Sequence, residues 1–92
     1  CYNLKNIEIP SRVQTIRPDA FQGCSSLEAL QLPYGITCIE DAVFANCFNL
    51  KDIEIPRSVT TINNMAFEGC RSLTSISIPD NVTSIGEFAF YF

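Results

Sequence analysis

Histidine and tryptophan are both absent from this 92-residue chain, and methionine occurs only once. The absence of histidine excludes Ser-His-Asp and Cys-His catalysis within these residues, together with most zinc chemistry. The four glycines are spread singly along the chain and form no loop that could cradle a phosphate group. We therefore expect no enzyme activity, no cofactor and no metal site within these residues.

Basic residues are also scarce, because six Lys and Arg face ten Asp and Glu, giving a formal net charge of -4. Nucleic-acid binding depends on clustered basic side chains, and here they are scattered, so we expect no nucleic-acid partner. The longest apolar run is residues 88–92, far short of the roughly 20 residues that a membrane-spanning helix requires. The composition, with 47% hydrophobic and 17% charged residues, is typical of a folded domain without membrane insertion.

The chain begins at Cys1, with neither an initiator methionine nor the pattern of a secretion signal. We therefore expect that it is a fragment of a longer array and that any leader lies outside it.

A repeat of 23 residues runs through the chain without insertion or deletion. Equivalent positions form columns, as in the leucines at 4, 27, 50 and 73, the prolines at 10, 33, 56 and 79, and the phenylalanines at 21, 44, 67 and 90. The sequence therefore predicts four structural repeats, at residues 4–26, 27–49, 50–72 and 73–92.

Each repeat contains an alternating apolar pair followed by proline, as in Ile53, Ile55 and Pro56. This pattern predicts a half-buried strand that proline terminates, with equivalent pairs at Ile7 and Ile9, Leu30 and Leu32, and Ile76 and Ile78. A second apolar pair, such as Val59 and Ile62, predicts another short extended segment. The next stretch, for example residues 63–68, predicts one or two helical turns, ended by Gly23, Asn46 or Gly69.

One repeat cannot fold alone, because about six large apolar side chains at roughly 2 kcal/mol each do not offset about 1–2 kcal/mol of backbone entropy per residue. Stacking buries each ring of apolar side chains against the next and adds hydrogen bonds between strands. The sequence therefore predicts an α/β repeat solenoid whose stability comes from contacts between neighbouring repeats.

The unit Leu-x-x-Ile-x-Ile-Pro, followed at fixed offset by Ala-Phe-x-Gly-Cys, is clearest at residues 50–70. It resembles the BspA-like class of leucine-rich repeats, and the resemblance covers all 92 residues. The resemblance implies a right-handed leucine-rich-repeat superhelix, with a parallel β-sheet on one face and short strands or helical turns on the other. It also implies an extracellular or cell-surface protein with adhesion or partner-binding modules and no shared catalytic residues.

Four of the five cysteines form one column at positions 1, 24, 47 and 70, next to large apolar positions. We expect this column to be a ladder of buried free thiols, with a disulfide between stacked neighbours as the alternative. Cys38 stands in a column otherwise filled by Thr and Ser, and it should be a partly exposed free thiol.

The outward-facing positions of the strands vary between repeats, whereas the core columns do not. Variation on a fixed scaffold is how repeat proteins build extended binding surfaces. The predicted binding residues on this strand face are Lys5, Asn6, Glu8, Glu28, Gln31, Lys51, Asp52, Glu54, Ser75 and Ser77. A competing candidate binding surface is formed by aromatic residues, namely Tyr34, Phe48 and the cluster at residues 88–92.

Two functions remain open from the sequence. The first is recognition of a protein or glycan ligand through the strand face. The second is architectural, in which the repeats form a spacer or associate end to end through the apolar side chains at residues 88–92.

Overall fold

The computed structural model describes residues 5–73 and 76–91. Six short strands are present among these residues: β1 (Asn6–Glu8), β2 (Ala29–Gln31), β3 (Cys38–Ile39), β4 (Asp52–Glu54), β5 (Thr61–Ile62) and β6 (Ser84–Ile85). They form two parallel three-stranded sheets, in the orders β1-β2-β4 and β3-β5-β6. Each repeat is thus one coil of a solenoid, and the predicted repeat fold is confirmed.

The first sheet keeps the 23-residue register along its length. Asn6 pairs with Ala29 and Ala29 with Asp52, so equivalent residues of successive coils lie side by side. The fourth strand predicted around Ile76 and Ile78 does not appear among the described residues, since residues 76–79 have no regular structure. Thr74 and Ser75, which would begin that strand, lie outside the described residues.

The second sheet confirms the extended segment predicted from the second apolar pair. Its strands pair Ile39 with Ile62 and Ile62 with Ile85, again at a spacing of 23 residues. In all four coils a turn follows the proline. In this turn the N–H three residues after the proline donates to the proline carbonyl, as from Val59 to Pro56 at 3.1 Å.

The predicted helical turns are not found, because the described residues contain no helix. The segment at residues 64–69 consists of turns. From Met65 onward, its successive N–H groups alternate between acceptors in the next coil and acceptors in the same coil. The N–H of Phe67 donates to Ala89 of the next coil at 2.8 Å, whereas that of Glu68 donates three residues back, to Met65, at 3.1 Å. Bonding to the neighbouring coil takes the N–H groups that an α-helix would use internally, so the segment is a series of turns.

Two columns of these turn segments have a left-handed backbone. The column predicted to do so is confirmed, with φ of 75° at Gly23, 63° at Asn46 and 77° at Gly69. The sequence did not indicate the second column, where φ is also positive in every coil. Its members are Asp19, Ala42, Met65 and Phe88.

The core is a set of columns that run along the solenoid. Phe44 and Phe67 are fully buried, and the rings of the phenylalanine column stack with centroids 5.7 Å apart in the first pair and 5.3 Å apart in the next two. The ring planes of successive pairs differ by only 3°, 12° and 6°. Equivalent side chains therefore contact each other from coil to coil, as the repeat predicts.

The cysteine column is buried as predicted, but it is not a ladder of free thiols throughout. Cys47 and Cys70 are free, whereas Cys24 is disulfide-bonded, which corrects the expectation for that residue. Equivalent residues of stacked coils can reach the Cα separation of about 4.4–6.8 Å that a disulfide requires. Cys1 lies outside the described residues.

Candidate binding surface

The predicted strand face is assembled by the register of the first sheet. Asn6, Ala29 and Asp52 lie in adjacent positions on β1, β2 and β4, and Gln31 lies beside Glu54 two residues further on. Residues two apart in a strand point to the same side, so both rows project from one face of the sheet. Neighbouring strands, and therefore neighbouring members of one row, are about 4.8 Å apart in the hydrogen-bonding direction.

Most of the predicted binding residues are exposed. The exposed ones are Lys5, Asn6, Gln31, Lys51, Asp52, Glu54 and Ser77. Glu28 is half-buried. Ser75 and the side chain of Glu8 lie outside the described part of the structure, although the backbone of Glu8 pairs with Gln31 in the sheet.

A groove of about 1350 Å³ lies over this face. From the predicted set, the residues that line the groove are Asn6, Gln31, Asp52, Glu54 and Ser77. Lys5, Glu28 and Lys51 are not part of its lining. The structure therefore brings five of the predicted residues into one concavity and leaves these three outside it.

The groove is also lined by residues that were not assigned to the strand face from the sequence, and two of them have large side chains with polar groups. Tyr34 and Arg57 each follow the proline that ends a strand, and both line the groove. Tyr34 is 66% exposed, so its ring is available to a ligand. Their column reads Ser11, Tyr34, Arg57 and Asp80, and this variation was the signal that could have indicated them.

The segments that carry Tyr34 and Arg57 are held by side chains of the following coil. The hydroxyl of Ser58 donates to the carbonyl of Ile36, and Nδ2 of Asn81 donates to the carbonyl of Arg57 at 2.8 Å. These bonds join one coil to the next at the edge of the groove. They reduce the conformational freedom that a ligand would have to restrict on binding.

The groove combines an aromatic ring with polar side chains of both charges. Asp52 and Glu54 contribute two carboxylates two residues apart on β4, and Arg57 contributes a guanidinium beyond the end of that strand. Such a surface can accept and donate several hydrogen bonds and can pack against an apolar portion of a ligand. Tyrosine and arginine are among the residues that are enriched at protein interfaces.

The free cysteines do not add a nucleophile to this surface. Burial raises the pKa of Cys47 to about 11 and that of Cys70 to about 12, because both thiolates would be desolvated. Cys38 is partly exposed and free, as predicted, and its pKa is raised by burial and by the nearby carboxylates of Glu40 and Asp41. A thiol is reactive as the thiolate, so these environments oppose nucleophilic chemistry.

Within residues 5–73 and 76–91, no group of three or more His, Cys, Asp and Glu side chains could hold a metal ion. The same residues include no helix that is long and apolar enough to span a membrane.

The fold and its repeat define a leucine-rich-repeat solenoid. A family model for the BspA type leucine rich repeat region (6 copies) matches residues 1–92, and the chain belongs to this family. The family consists generally of surface repeat modules that are typically non-catalytic. No curated protein matches the chain at a significant level.

Solved structures of bacterial repeat proteins are similar to the chain along nearly all of its length. A leucine rich cell surface protein from Faecalibacterium prausnitzii A2-165 is 40% identical over 99% of the chain, with a TM-score of 0.95. A leucine-rich repeat protein from Bacteroides ovatus is 35% identical over 94% of the chain, with a TM-score of 0.87. The chain spans about a quarter of the length of each of these proteins, 24% and 25% respectively.

A third similar structure is the leucine rich repeat protein of T. pallidum. It is 26% identical over 95% of the chain, which spans 54% of that protein, and the TM-score is 0.83.

Proposed function

We propose that this chain is a non-catalytic recognition module of a surface or secreted protein, which binds a protein or glycan ligand through the strand face. The observation that carries the proposal is the groove over the first sheet, where exposed polar side chains project from a sheet in strict register and Tyr34 lies beyond the end of β2. The extracellular or cell-surface location is part of the same proposal. It is supported by the family and by the cell surface protein of F. prausnitzii that the chain resembles.

Rigidity supports this function. The coils are joined by backbone hydrogen bonds, stacked rings and side-chain bonds, so the groove is formed before a ligand arrives. A preformed surface loses little conformational entropy on binding, and several weak polar contacts can then add up to useful affinity. The predicted residues that line the groove would make these contacts, with Tyr34 and Arg57 added to them.

The repeat itself supplies substitutions that test the groove without disturbing the scaffold. Tyr34→Ser introduces the residue that Ser11 provides in the same column, and Glu54→Ser introduces the residue that Ser77 provides. The matched control is Glu68→Gln, which introduces the residue of Gln22 at a position outside the groove.

The chain would first be screened on a glycan array and on a panel of purified secreted proteins. We expect the double variant Tyr34→Ser, Glu54→Ser to weaken any binding found by about tenfold or more, as loss of a central contact of roughly 1–2 kcal/mol does. The control variant should bind like the parent chain. A ligand that binds the double variant as tightly as the parent would overturn the strand-face assignment.

An architectural role is the second candidate, in which the rigid coils act as a spacer or self-assemble. It is supported by four exposed apolar side chains of the last described coil, Ile78, Ile85, Phe88 and Tyr91, on which a further repeat or another chain could stack. Of these four side chains Ile78 also lines the groove, whereas Tyr34 and Glu54 are not among them, so the groove variant leaves all four side chains unchanged.

A further inference from the structure

Ala29 is a small residue in the middle of the groove. In the register of the first sheet it pairs with Asn6 on one side and with Asp52 on the other, and these three residues form one row of the strand face. Asn6 and Asp52 are exposed, whereas Ala29 is half-buried. The row therefore contains a gap over Ala29, the Ala29 gap, between two longer polar side chains. A strand is hydrogen-bonded on each side of it, so the gap lies in the interior of the sheet.

Side-chain oxygens surround the Ala29 gap. Gln31 lies two residues further along β2 on the same face, and it pairs with Glu54 on β4. With Asn6 and Asp52 in the row of Ala29, two carboxylates and two amides are the neighbours of the gap, and all four line the groove. From the strand spacing and the rise per residue, these four residues lie roughly 5–8 Å from Ala29.

The polar groups around the Ala29 gap have no partner within the described part of the protein. The two carboxylates and two amides make no hydrogen bond or ion pair with any other described residue. Among the described residues that line the groove, Arg57 alone is basic, and it lies beyond the end of β4. Lys5 and Lys51 lie outside the lining. The oxygens are therefore available to accept hydrogen bonds from a ligand.

We propose that the Ala29 gap binds a lysine or arginine side chain of a ligand that presents an extended basic peptide segment. An ammonium group has three donors and a guanidinium has five, and neither has an acceptor, so both match a site surrounded by oxygens. The aliphatic part of such a side chain packs against the methyl group of Ala29. The exposed ring of Tyr34 offers the same ligand an aromatic contact beyond the end of β2.

Charge favours a basic peptide over a neutral glycan. The charged residues that line the groove are Asp52, Glu54 and Arg57, a net charge of -1, and the whole chain has a net charge of -4. A basic ligand is attracted by this charge and oriented by it, whereas sugar hydroxyls would leave both carboxylates without a countercharge. This inference rests on the proposed function of the strand face and names the chemical class of its ligand.

The test uses arrays of short peptides without regular structure. Each peptide has one lysine or arginine at its centre and uncharged residues elsewhere, and a matched array has glutamine at every centre. The tightest basic peptide and its glutamine counterpart are then measured in solution by fluorescence anisotropy. We expect the parent chain to bind the basic peptide more tightly by about tenfold or more, and the difference to shrink as the salt concentration rises.

Single substitutions test the two carboxylates. Asp52→Asn and Glu54→Gln each remove one charge beside the gap and keep the shape of the side chain, so each should weaken the basic peptide by about fivefold or more. Glu28→Gln is the matched control, because it changes the net charge by the same amount at a residue outside the groove lining. The control should change the affinity by less than about twofold, since solvent and salt screen a charge outside the contact.

A substitution at Ala29 tests the gap itself. Ala29→Asn introduces the residue that Asn6 provides in the same row and fills the gap. It should remove the preference for a central lysine or arginine, and a cooperative melt followed by circular dichroism would show that the variant folds.

Equal affinity for the basic and glutamine peptides, or equal losses in Asp52→Asn and Glu28→Gln, would contradict the inference. If no basic peptide binds, but a glycan does and is lost in the variant Tyr34→Ser, Glu54→Ser, the inference fails and the proposed function stands. A basic peptide that binds this double variant as tightly as the parent chain uses another surface, and that result would contradict both.

Discussion

Cys47 and Cys70 are the residues whose chemistry the fold changes most. Each thiol donates a hydrogen bond to a phenylalanine carbonyl of the preceding coil, from Cys47 to Phe21 at 3.2 Å and from Cys70 to Phe44 at 3.1 Å. Burial disfavours the thiolate and raises the pKa of Cys47 to about 11 and of Cys70 to about 12. The folded state therefore holds protons that the unfolded chain releases above its ordinary thiol pKa of 9.0.

This difference predicts how stability depends on pH. Because the pKa of each thiol is raised on folding, its contribution is fully present below pH 9.0 and is lost as the pH rises toward about 11 and about 12. We expect the melting temperature to fall across this alkaline range, as followed by circular dichroism.

The control for this prediction is the variant Cys47→Ala, Cys70→Ala, which lacks both groups. It should start from a lower melting temperature, since two small cavities are created, and should lose less of it between pH 9.0 and about 11. An equal alkaline loss in the parent and the variant would mean that the buried thiols do not contribute.

At the scale of elements, the turn segments carry the least expected geometry. Gly23 and Gly69 occupy one left-handed column, but their surroundings differ. A Cβ at Gly69 would lie 2.7 Å from Oδ1 of Asn46, whereas a Cβ at Gly23 would meet nothing within 4 Å. An alanine at Gly23 would therefore introduce backbone strain alone, whereas an alanine at Gly69 would introduce backbone strain and steric overlap with Asn46.

We expect Gly23→Ala to destabilise the fold by about 1 kcal/mol, through the left-handed conformation alone. Gly69→Ala should cost more, about 2 kcal/mol, because the methyl group also overlaps Asn46. Equilibrium unfolding in urea measures both values.

The matched control adds Asn46→Gly, which introduces the residue that the same column has at Gly23 and Gly69. In the background of Gly69→Ala it removes Oδ1 of Asn46 and should reduce the cost to that of Gly23→Ala. Equal costs for the two alanine variants would show that the overlap with Asn46 is unimportant.

Three strands of the first sheet could be predicted from the sequence, whereas the path of the turn segments could not, apart from the left-handed column at Gly23, Asn46 and Gly69. Side-chain alternation and a terminating proline depend only on the residues of the strand itself. Ile53 and Pro56 were therefore sufficient to place β4. The turn at residues 64–69 is determined by hydrogen bonds to the next coil, as from Phe67 to Ala89, which a local pattern does not contain. Ala and Phe are compatible with a helical turn, and nothing local indicates the left-handed backbone at Met65.

In the candidate site, the residues on strands could be predicted from the sequence, and the residues beyond the strand ends could not. Asn6, Asp52 and Glu54 follow from strand alternation, and they line the groove. Tyr34 and Arg57 lie beyond the ends of strands, where alternation gives no direction, and only the folded turn after the proline places them there. Which of these residues bind a ligand stays a prediction.

At the scale of the whole molecule, stability comes from contacts between coils. The solenoid is small, with principal dimensions of 31 × 28 × 22 Å, and its core is a set of columns with one member in each coil. In a repeat architecture of this kind each coil is stabilised by its neighbours and is too small to fold alone.

The measurement that tests this account most directly compares the thermal unfolding of two variants of the same coil. Phe67→Asp replaces a fully buried ring that stacks on both neighbouring coils, and Glu54→Ala changes an exposed residue of the strand face. We expect Phe67→Asp to abolish cooperative unfolding, because it buries an unpaired charge, and Glu54→Ala to leave the melting temperature nearly unchanged. Small and equal shifts for the two variants would contradict the stacking of equivalent side chains as the basis of the fold.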